Sequence, residues 1–433
     1  MTDDWKKKIN QIQKNKFFCP RPFVEIISNN KEKYGPCCYS NAGMPSNQGL
    51  DDQRPFDWFA QGDDLQALRA VMLGKQDNPG LLDQVCGFCR VREAQNITSP
   101  RQTYIERFLR NLVEGEQWSD ADMALITERI VTWSGHEPWT TDLGTVAVRM
   151  RLFGNYCNLR CVSCGPNSSS QIQTEYKKII KLEPGSRLRA MGIVDQSNLK
   201  ISGLVQAQQN VIDNIDKVRS ILLIGGEPLL TPGHFEWLDK IVASGHAGRI
   251  ELRYQTNLTE MHRYANRIFQ YKQHFQRIFF IGSIDSFEHR NDYVRWGSTW
   301  SKLMENIGLV QTQGLGLTIN ITTTWLTSLW VGPLWDHLHR TFGIDAEING
   351  SVVNRPTHLR PRHLPQEFKE TALNHLEYYV KDPLRYQVLA QELAHPQDPR
   401  LFKLGIEYLE TLDRSRKANW LAVFPEFKPH AHK

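Results

Sequence analysis

The 433-residue sequence predicts an α/β fold, a partial barrel built on a parallel sheet with a small module before it. Six short apolar segments alternate with helical intervals between about residues 146 and 350, and alternation of this kind favours parallel β/α construction. Glycine and polar residues gather at the C-terminal ends of these segments, the edge where sites in such folds collect. All eight cysteines lie in the first 164 residues. The chain therefore divides into a cysteine-bearing module over 1–125, a regular block over 146–350 and a C-terminal extension over 351–433.

The chain opens with "MTDDWKKKINQIQKNKFFCPRPF", charged and without the apolar run or small-residue cleavage site of a signal peptide. No stretch approaches the roughly 18 apolar residues of a membrane span. With 40% apolar and 23% charged residues, the expectation is a soluble cytoplasmic protein. The formal charge is +5, but the basic residues are scattered without a dense tail, which argues against a nucleic acid partner. Crowded cysteines in a long chain suit inorganic ligation in a reducing compartment better than a disulfide framework.

The first module is rich in turn residues, as in "SNNKEKYGPCC" and "SNAGMPSNQG". Its clearest helix is 63–74, where Leu65, Leu68 and Met72 recur at helical spacing before Gly74. In a module with so small a core, metal ligation can supply folding free energy.

In the second block "VAVRMRLFG" reads as a strand entering the cysteine loop. A helix with Val211, Ile215 and Val218 on one face precedes the strand in "RSILLIGGEPLL". Thr231 and Pro232 read as N-cap and first position of the next helix. "RIELRYQTN", "RIFFIGSID", "LGLTINITT" and "GIDAEIN" complete the six strands. In the extension, Pro356, Pro361 and Pro365 favour extended backbone. His358 and His363 between them suit a solvated loop or substrate binding equally, and the late aromatics are read as packing.

The stretch "GNYCNLRCVSCGP" places Cys157, Cys161 and Cys164 in a C-x3-C-x2-C run that can turn three sulfurs toward one centre. That spacing serves tetrahedral zinc, completed by a histidine, or an iron–sulfur cluster. About 60 residues later a second strand ends in Gly225-Gly226-Glu227-Pro228. The pairing resembles the radical S-adenosylmethionine (SAM) superfamily. The resemblance implies a partial (β/α)6 TIM-like barrel, a [4Fe-4S] cluster on the three cysteines, and SAM on the iron left without a protein ligand. It also implies reductive cleavage of SAM to a 5'-deoxyadenosyl radical that abstracts a substrate hydrogen.

Under the resemblance, Gly225 and Gly226 allow a tight turn and close approach by SAM, Pro228 completes the motif, and Glu227 orients the SAM ammonium; the bland alternative is a glycine turn with a solvated acid. Ser163 stands where the family usually has an apolar residue before the third cysteine, with Val162 and Tyr156 available for packing nearby. Ser283 is a ribose candidate. Asp285 is either a ligand or a turn cap, and Arg295 is either a partner for SAM carboxylate or substrate charge or a peripheral arginine. Asn320 is a ribose candidate set against a local backbone hydrogen bond. Thr256 and Asn257 either shape the cavity floor or begin a turn.

The remaining cysteines are Cys19, Cys37, Cys38, Cys86 and Cys89, in "FCPRPFVEI", "GPCC" and "CGFC". Zinc again competes on chemistry alone. With Glu93, Ser99 and Arg101 following, the pattern resembles the twitch-type (SPASM-like) auxiliary-cluster module. That resemblance implies a second [4Fe-4S] on Cys19, Cys37, Cys86 and Cys89, with Cys38 spare and the choice between Cys37 and Cys38 open. Glu32 departs from a glycine in that pattern, with Gly35 as another flexible point. Asn96 replaces a second turn glycine, and asparagine tolerates left-handed backbone. Glu93, Ser99 and Arg101 are expected to brace the turn.

Related architectures imply oxidation, cross-linking or epimerisation of a peptide or protein, with flavodoxin or ferredoxin as reductant and the extension covering the barrel mouth or forming a substrate groove. Modification of a sugar or other small molecule, and a non-catalytic zinc-bearing structural or binding protein, are the alternatives.

Overall fold

The computed structural model describes residues 4–15, 17–28, 33–40, 54–113, 116–140, 144–195 and 204–430. Glu32 and most of the turn-rich stretch 40–49 lie outside them. Among these residues the main sheet has seven strands: β1 Glu25–Ser28, β2 Tyr34–Gly35, β3 Val146–Met150, β4 Val218–Leu223, β5 Glu251–Thr256, β6 Arg277–Ser283 and β7 Gly316–Asn320. Their order is β7-β6-β5-β4-β3-β1-β2, and every pairing is parallel except β1 with β2. The result is a mixed α/β fold around a largely parallel sheet, and β3 to β7 are five of the six expected strands.

The sixth, "GIDAEIN", is not a strand. It meets β7 through one parallel bridge, Asn320 to Glu347, supported by Ile321 N donating to Glu347 O at 2.9 Å and Glu347 N to Ile319 O at 2.7 Å. Gly343, left-handed at φ +65°, ends the preceding helix Val331–Phe342, and a 3-10 turn begins at Asn349, so too few residues remain for a ladder.

The other edge is extended from the N-terminal region. β1 lies parallel to β3 with Glu25 opposite Ala147 and Ile27 opposite Arg149. Arg151 N donates to Ser28 Oγ at 2.9 Å, continuing the junction. Glu25 is buried and accepts from Arg21 at 2.9 Å and from the Tyr104 hydroxyl, so the helix Pro100–Leu109 is tied to the sheet. One apolar core runs from Trp5 through the sheet to Phe427.

Three local expectations are corrected. The helix after β4 is His234–Ala243, not one starting at Pro232, because Gly233 at φ +81° is its N-cap. The helix before β4 ends at Asp213, Ile215 sits in a 3-10 turn, and Val218 is already the first residue of β4. His358 and His363 are buried at 1% and 2% exposure, not solvated. The first-module helix is Asp63–Met72 with Leu65, Leu68 and Met72 buried, as the spacing predicts.

The C-terminal helix Pro399–Arg416 packs onto the cysteine-bearing part of the chain. Tyr408 Oη donates to Val162 O at 2.9 Å and lies 3.0 Å from Tyr176 Oη. Arg416 makes two hydrogen bonds to Glu175, at 2.9 and 2.7 Å, with both side chains buried. Trp420 and Phe427 are buried against Trp325, and Phe424 against Tyr293, so the late aromatics pack. Among the described residues no helix is long and apolar enough to cross a membrane.

Candidate active site

The chain leaves β3, turns at Gly154 with φ +74°, and enters the cysteine loop. Cross-ties hold this loop at several points. Asn155 Nδ2 donates to Pro166 O at 2.7 Å and Ser169 Oγ to Leu159 O at 2.6 Å. Arg160–Cys161 forms a two-residue antiparallel ladder with Arg295–Trp296, and Val162 N donates to Val294 O at 2.7 Å. Cys157 and Cys161 are buried and Cys164 is half-buried. Burial pushes the Cys157 thiol up to about 12. A hydrogen bond from the Cys164 thiol holds Cys161 below the usual thiol range, and the same bond, with burial, pushes Cys164 well above it. Metal coordination would deprotonate such thiols outright.

The glycine pair after β4 is explained by the loop itself. Gly225 lies at φ +144°, and a Cβ there would stand 2.5 Å from Gly154 O. At Gly226 a Cβ would meet Tyr156 O at 2.1 Å and Asn155 C at 2.6 Å. Gly226 N donates to Gly154 O at 3.2 Å and Glu227 N to Tyr156 O at 2.7 Å. Backbone thus packs on backbone, a contact that only residues without side chains permit.

Glu227 is 1% exposed and turned inward, not solvated. Its carboxylate accepts Thr256 Oγ1 at 2.9 Å to each oxygen, Asn257 N at 2.7 Å and Leu229 N at 3.4 Å. Burial raises its pKa to about 7 against the pull of these donors. Thr256 and Asn257 therefore do more than begin a turn. Asn257 Nδ2 donates to Asn158 Oδ1 at 2.8 Å and lies 3.9 Å from Cys157 Sγ, linking the end of β5 to the cysteine loop. The next residue, Leu258, is left-handed at φ +60°, held by Thr256 Oγ1 at 3.0 Å and by Asn306 Nδ2 on its carbonyl at 2.7 Å. Gly282 on β6 leaves room for it: a Cβ there would lie 2.4 Å from the Leu258 side chain.

A cavity of about 1430 Å3 opens at these strand ends. Cys157, Cys161, Cys164, Ser163, Gly225, Gly226, Thr256, Asn257, Ser283 and Arg295 line it. Glu227, Pro228, Asp285 and Asn320 are not among the described lining residues. Asp285 is buried, and its carboxylate receives Arg295 Nη1 at 3.3 and 3.1 Å. Burial disfavours the Arg295 charge, but Cys161, Asp285 and Cys164 outweigh it and hold that guanidinium above its ordinary range. Asn320 lies opposite Ser283 in the β7–β6 register, and its carbonyl accepts Ile284 N at 3.1 Å. The N-terminal region and the extension complete the wall, through residues such as Cys38, Phe88 and Arg92 on one side and Arg355, Arg360 and Glu392 on the other. Apart from Cys38, sequence reasoning passed over these, and over Arg149 and Arg151. A charged residue inside the otherwise apolar β3 was the available signal.

In the N-terminal region Cys19 and Cys89 are buried, Cys86 and Cys37 half-buried and Cys38 exposed. Burial pushes Cys19 and Cys86 up to about 12 and raises Cys89. Cys37 is raised well above its ordinary range, first by burial, then by repulsion from Cys38 and, after the opposing Arg21, from Cys19 and Cys86. Glu93 accepts Ser99 Oγ at 2.5 Å and Arg101 at 3.0 and 2.6 Å. Arg101 also donates to Phe18 O at 2.9 Å, next to Cys19. The Arg101 N–H and the Ser99 side chain both favour the Cys89 thiolate. Asn96 is left-handed at φ +56°, as its place in the turn predicts, and Ile97 N returns to Arg92 O at 2.8 Å to close the helix end.

Among the described residues no group of three or more His, Cys, Asp or Glu is arranged to hold a metal ion. The donor chemistry nonetheless fits an iron–sulfur cluster: three soft sulfurs from one cross-tied loop reach the rim of one cavity. Residues 152–324 match the Radical SAM superfamily model. The chain carries a radical SAM domain. That domain spans β4 to β7 and the whole cysteine loop. No curated protein matches the chain. Among solved structures it is similar to native anSMEcpe with bound AdoMet, at 16% identity and TM-score 0.34 over 55% of this chain and 61% of that one. It is also similar to Streptococcus suis SuiB bound to S-adenosylmethionine, at 14% identity and TM-score 0.33 over 73% and 63%. The chain thus spans less than two thirds of the length of these structures.

Proposed function

We propose that this radical SAM protein cleaves SAM reductively and abstracts hydrogen from a peptide or protein substrate, leading to oxidation, cross-linking or epimerisation. The observation that carries the proposal is the joint placement of Cys157, Cys161, Cys164, Gly225, Gly226 and Ser283 on one cavity within the matched domain. Cys157, Cys161 and Cys164 would hold a [4Fe-4S] cluster. When bound and reduced, that cluster supplies the electron that splits SAM into methionine and a 5'-deoxyadenosyl radical.

The chain's own residues provide position and exclusion. The glycine pair lets the cysteine loop sit against the end of β4, and Glu227 with Asn257 ties that loop to the end of β5. Arg295, neutralised in part by Asp285, brings positive charge beside Cys161, where a thiolate-bound cluster is negative. Ser283 and Asn257 face the cavity with hydrogen-bonding groups suited to the polar parts of SAM. Asn320 on the neighbouring strand is proposed for the ribose. Cys19, Cys37, Cys86 and Cys89 would hold an auxiliary cluster, with flavodoxin or ferredoxin as the electron source. Cys37, half-buried and within electrostatic reach of Cys19 and Cys86, is favoured over the exposed Cys38.

A peptide is our preferred substrate because the architectures that the cysteine pattern resembles act on peptides, and the cavity of about 1430 Å3 would hold the cluster and SAM together with part of the substrate. The test is anaerobic reconstitution followed by dithionite and SAM. The expected result is a brown protein with about eight irons that forms 5'-deoxyadenosine. A colourless zinc protein that leaves SAM intact would overturn the proposal.

A further inference from the structure

The charge of the cavity wall says something about the substrate. Among the described lining residues, eight are Lys or Arg and only Glu392 is acidic. Arg295 is accounted for by Asp285 and the nearby cysteines. Three more come from parts of the chain far from the SAM motifs: Arg92 from the helix Pro79–Ala94, and Arg360 and Arg362 from the extension.

Two of these guanidiniums bind a single carboxylate, and the third lies within its electrostatic reach. Arg360 Nη2 donates to Glu392 Oε1 at 2.6 Å, and Arg362 donates through Nε at 2.9 Å and Nη2 at 2.7 Å. Arg92 is anchored to Thr98 O at 3.2 Å and lies within electrostatic reach of both Glu392 and Arg360. Glu392 therefore orients two guanidiniums and offsets one charge of three. Arg360 Nε is buried and, among the described residues, has no hydrogen-bond partner. Arginine is suited to this task because its planar fork recognises a carboxylate through paired N–H donors.

We propose that Arg92, Arg360 and Arg362 form a docking subsite for the carboxylate side chains of an acidic peptide segment, which enters the cavity between the N-terminal region and the extension. This inference rests on the peptide reading of the same cavity and names the substrate class. Glu392 holds Arg360 and Arg362, and Thr98 O holds Arg92, before the substrate arrives, so little ordering remains to be done on binding. A lysine-rich segment would meet like charge, and a neutral one would leave the arginines uncompensated as the cavity is desolvated.

The test uses the cluster-loaded protein with SAM and titration calorimetry of short unlabelled peptides that are Glu-rich, Gln-rich or Lys-rich. The Glu-rich peptide is expected to bind about tenfold tighter than the Gln-rich one, a margin that shrinks as salt rises. Arg92→Gln is expected to remove most of this selectivity and Arg92→Lys to keep part of it. Arg362→Gln tests the extension's side of the subsite in the same way. Equal binding of Glu-rich and Gln-rich peptides by the unaltered protein would overturn the inference. Tighter binding of a sugar phosphate than of the Glu-rich peptide would also overturn it and assign the anion site to a phosphorylated small molecule. SAM cleavage without peptide is scored separately: its loss with Glu selectivity intact would count against the proposed function and not against this subsite.

Discussion

Replacing Gly226 by alanine separates two explanations of the glycine pair. If the glycines serve only to let SAM approach, the cluster-free chain should fold as well with alanine. The structure predicts otherwise, since the new Cβ would stand 2.1 Å from Tyr156 O and 2.5 Å from Tyr156 C, both backbone atoms that cannot swing aside. Relief requires the cysteine loop and the end of β4 to part, which weakens the bonds from Gly226 N to Gly154 O and from Glu227 N to Tyr156 O. Overpacking of this kind costs about 1–3 kcal/mol. Two weakened hydrogen bonds add about 1–3 kcal/mol. The expected loss is about 4 kcal/mol, lowering Tm by several degrees in a chain of this size. The assay is thermal unfolding of the cluster-free protein, followed by iron content after reconstitution. A cluster-free Gly226→Ala protein with the parental Tm, deficient only in SAM affinity, would refute the backbone-contact explanation.

Two further predictions follow from the same geometry. Burial holds His234 down to about 3 and His358 and His363 down to about 4, so the unfolded chain binds more protons than the folded one between those values and the ordinary 6.5. Stability should therefore fall as pH drops below about 6.5, and His234→Gln should flatten Tm against pH between 7 and about 4; an unchanged slope would count against the buried neutral imidazole. Cys37→Ser should lose about four irons while Cys38→Ser keeps them, as iron and sulfide analysis after reconstitution would record; the reverse pattern would move the auxiliary ligand to Cys38.

Much of this was legible in the sequence because the signals are local. The strand entering "GNYCNLRCVSCGP" and the glycines ending "RSILLIGG" carry their own punctuation, and five strands of the block are read from short apolar runs. β1 was missed because "EIIS" is only four residues and its partner β3 lies some 120 positions away, a pairing that no periodicity announces. The burial of His358 and His363 was hidden for a similar reason: helices later in the chain cover a segment whose prolines and arginines look solvated. Of the two readings of Glu227, the solvated acid fails because Thr256 and Asn257, contributed by the next strand, turn the carboxylate inward. The cavity's cationic wall is likewise an assembly of distant segments, in which Arg92 and Arg360 approach only through the fold.

The central claim is that the cluster on Cys157, Cys161 and Cys164 leaves one iron for SAM. It is tested most directly by electron–nuclear double resonance of the reduced, reconstituted protein with SAM isotopically labelled at its amino nitrogen and carboxylate oxygens. Hyperfine coupling from both labels to the cluster is predicted, lost when any of the three cysteines is replaced by alanine. A paramagnetic cluster that shows no coupling to either label, or a fourth protein ligand on that iron in the presence of SAM, would contradict the account.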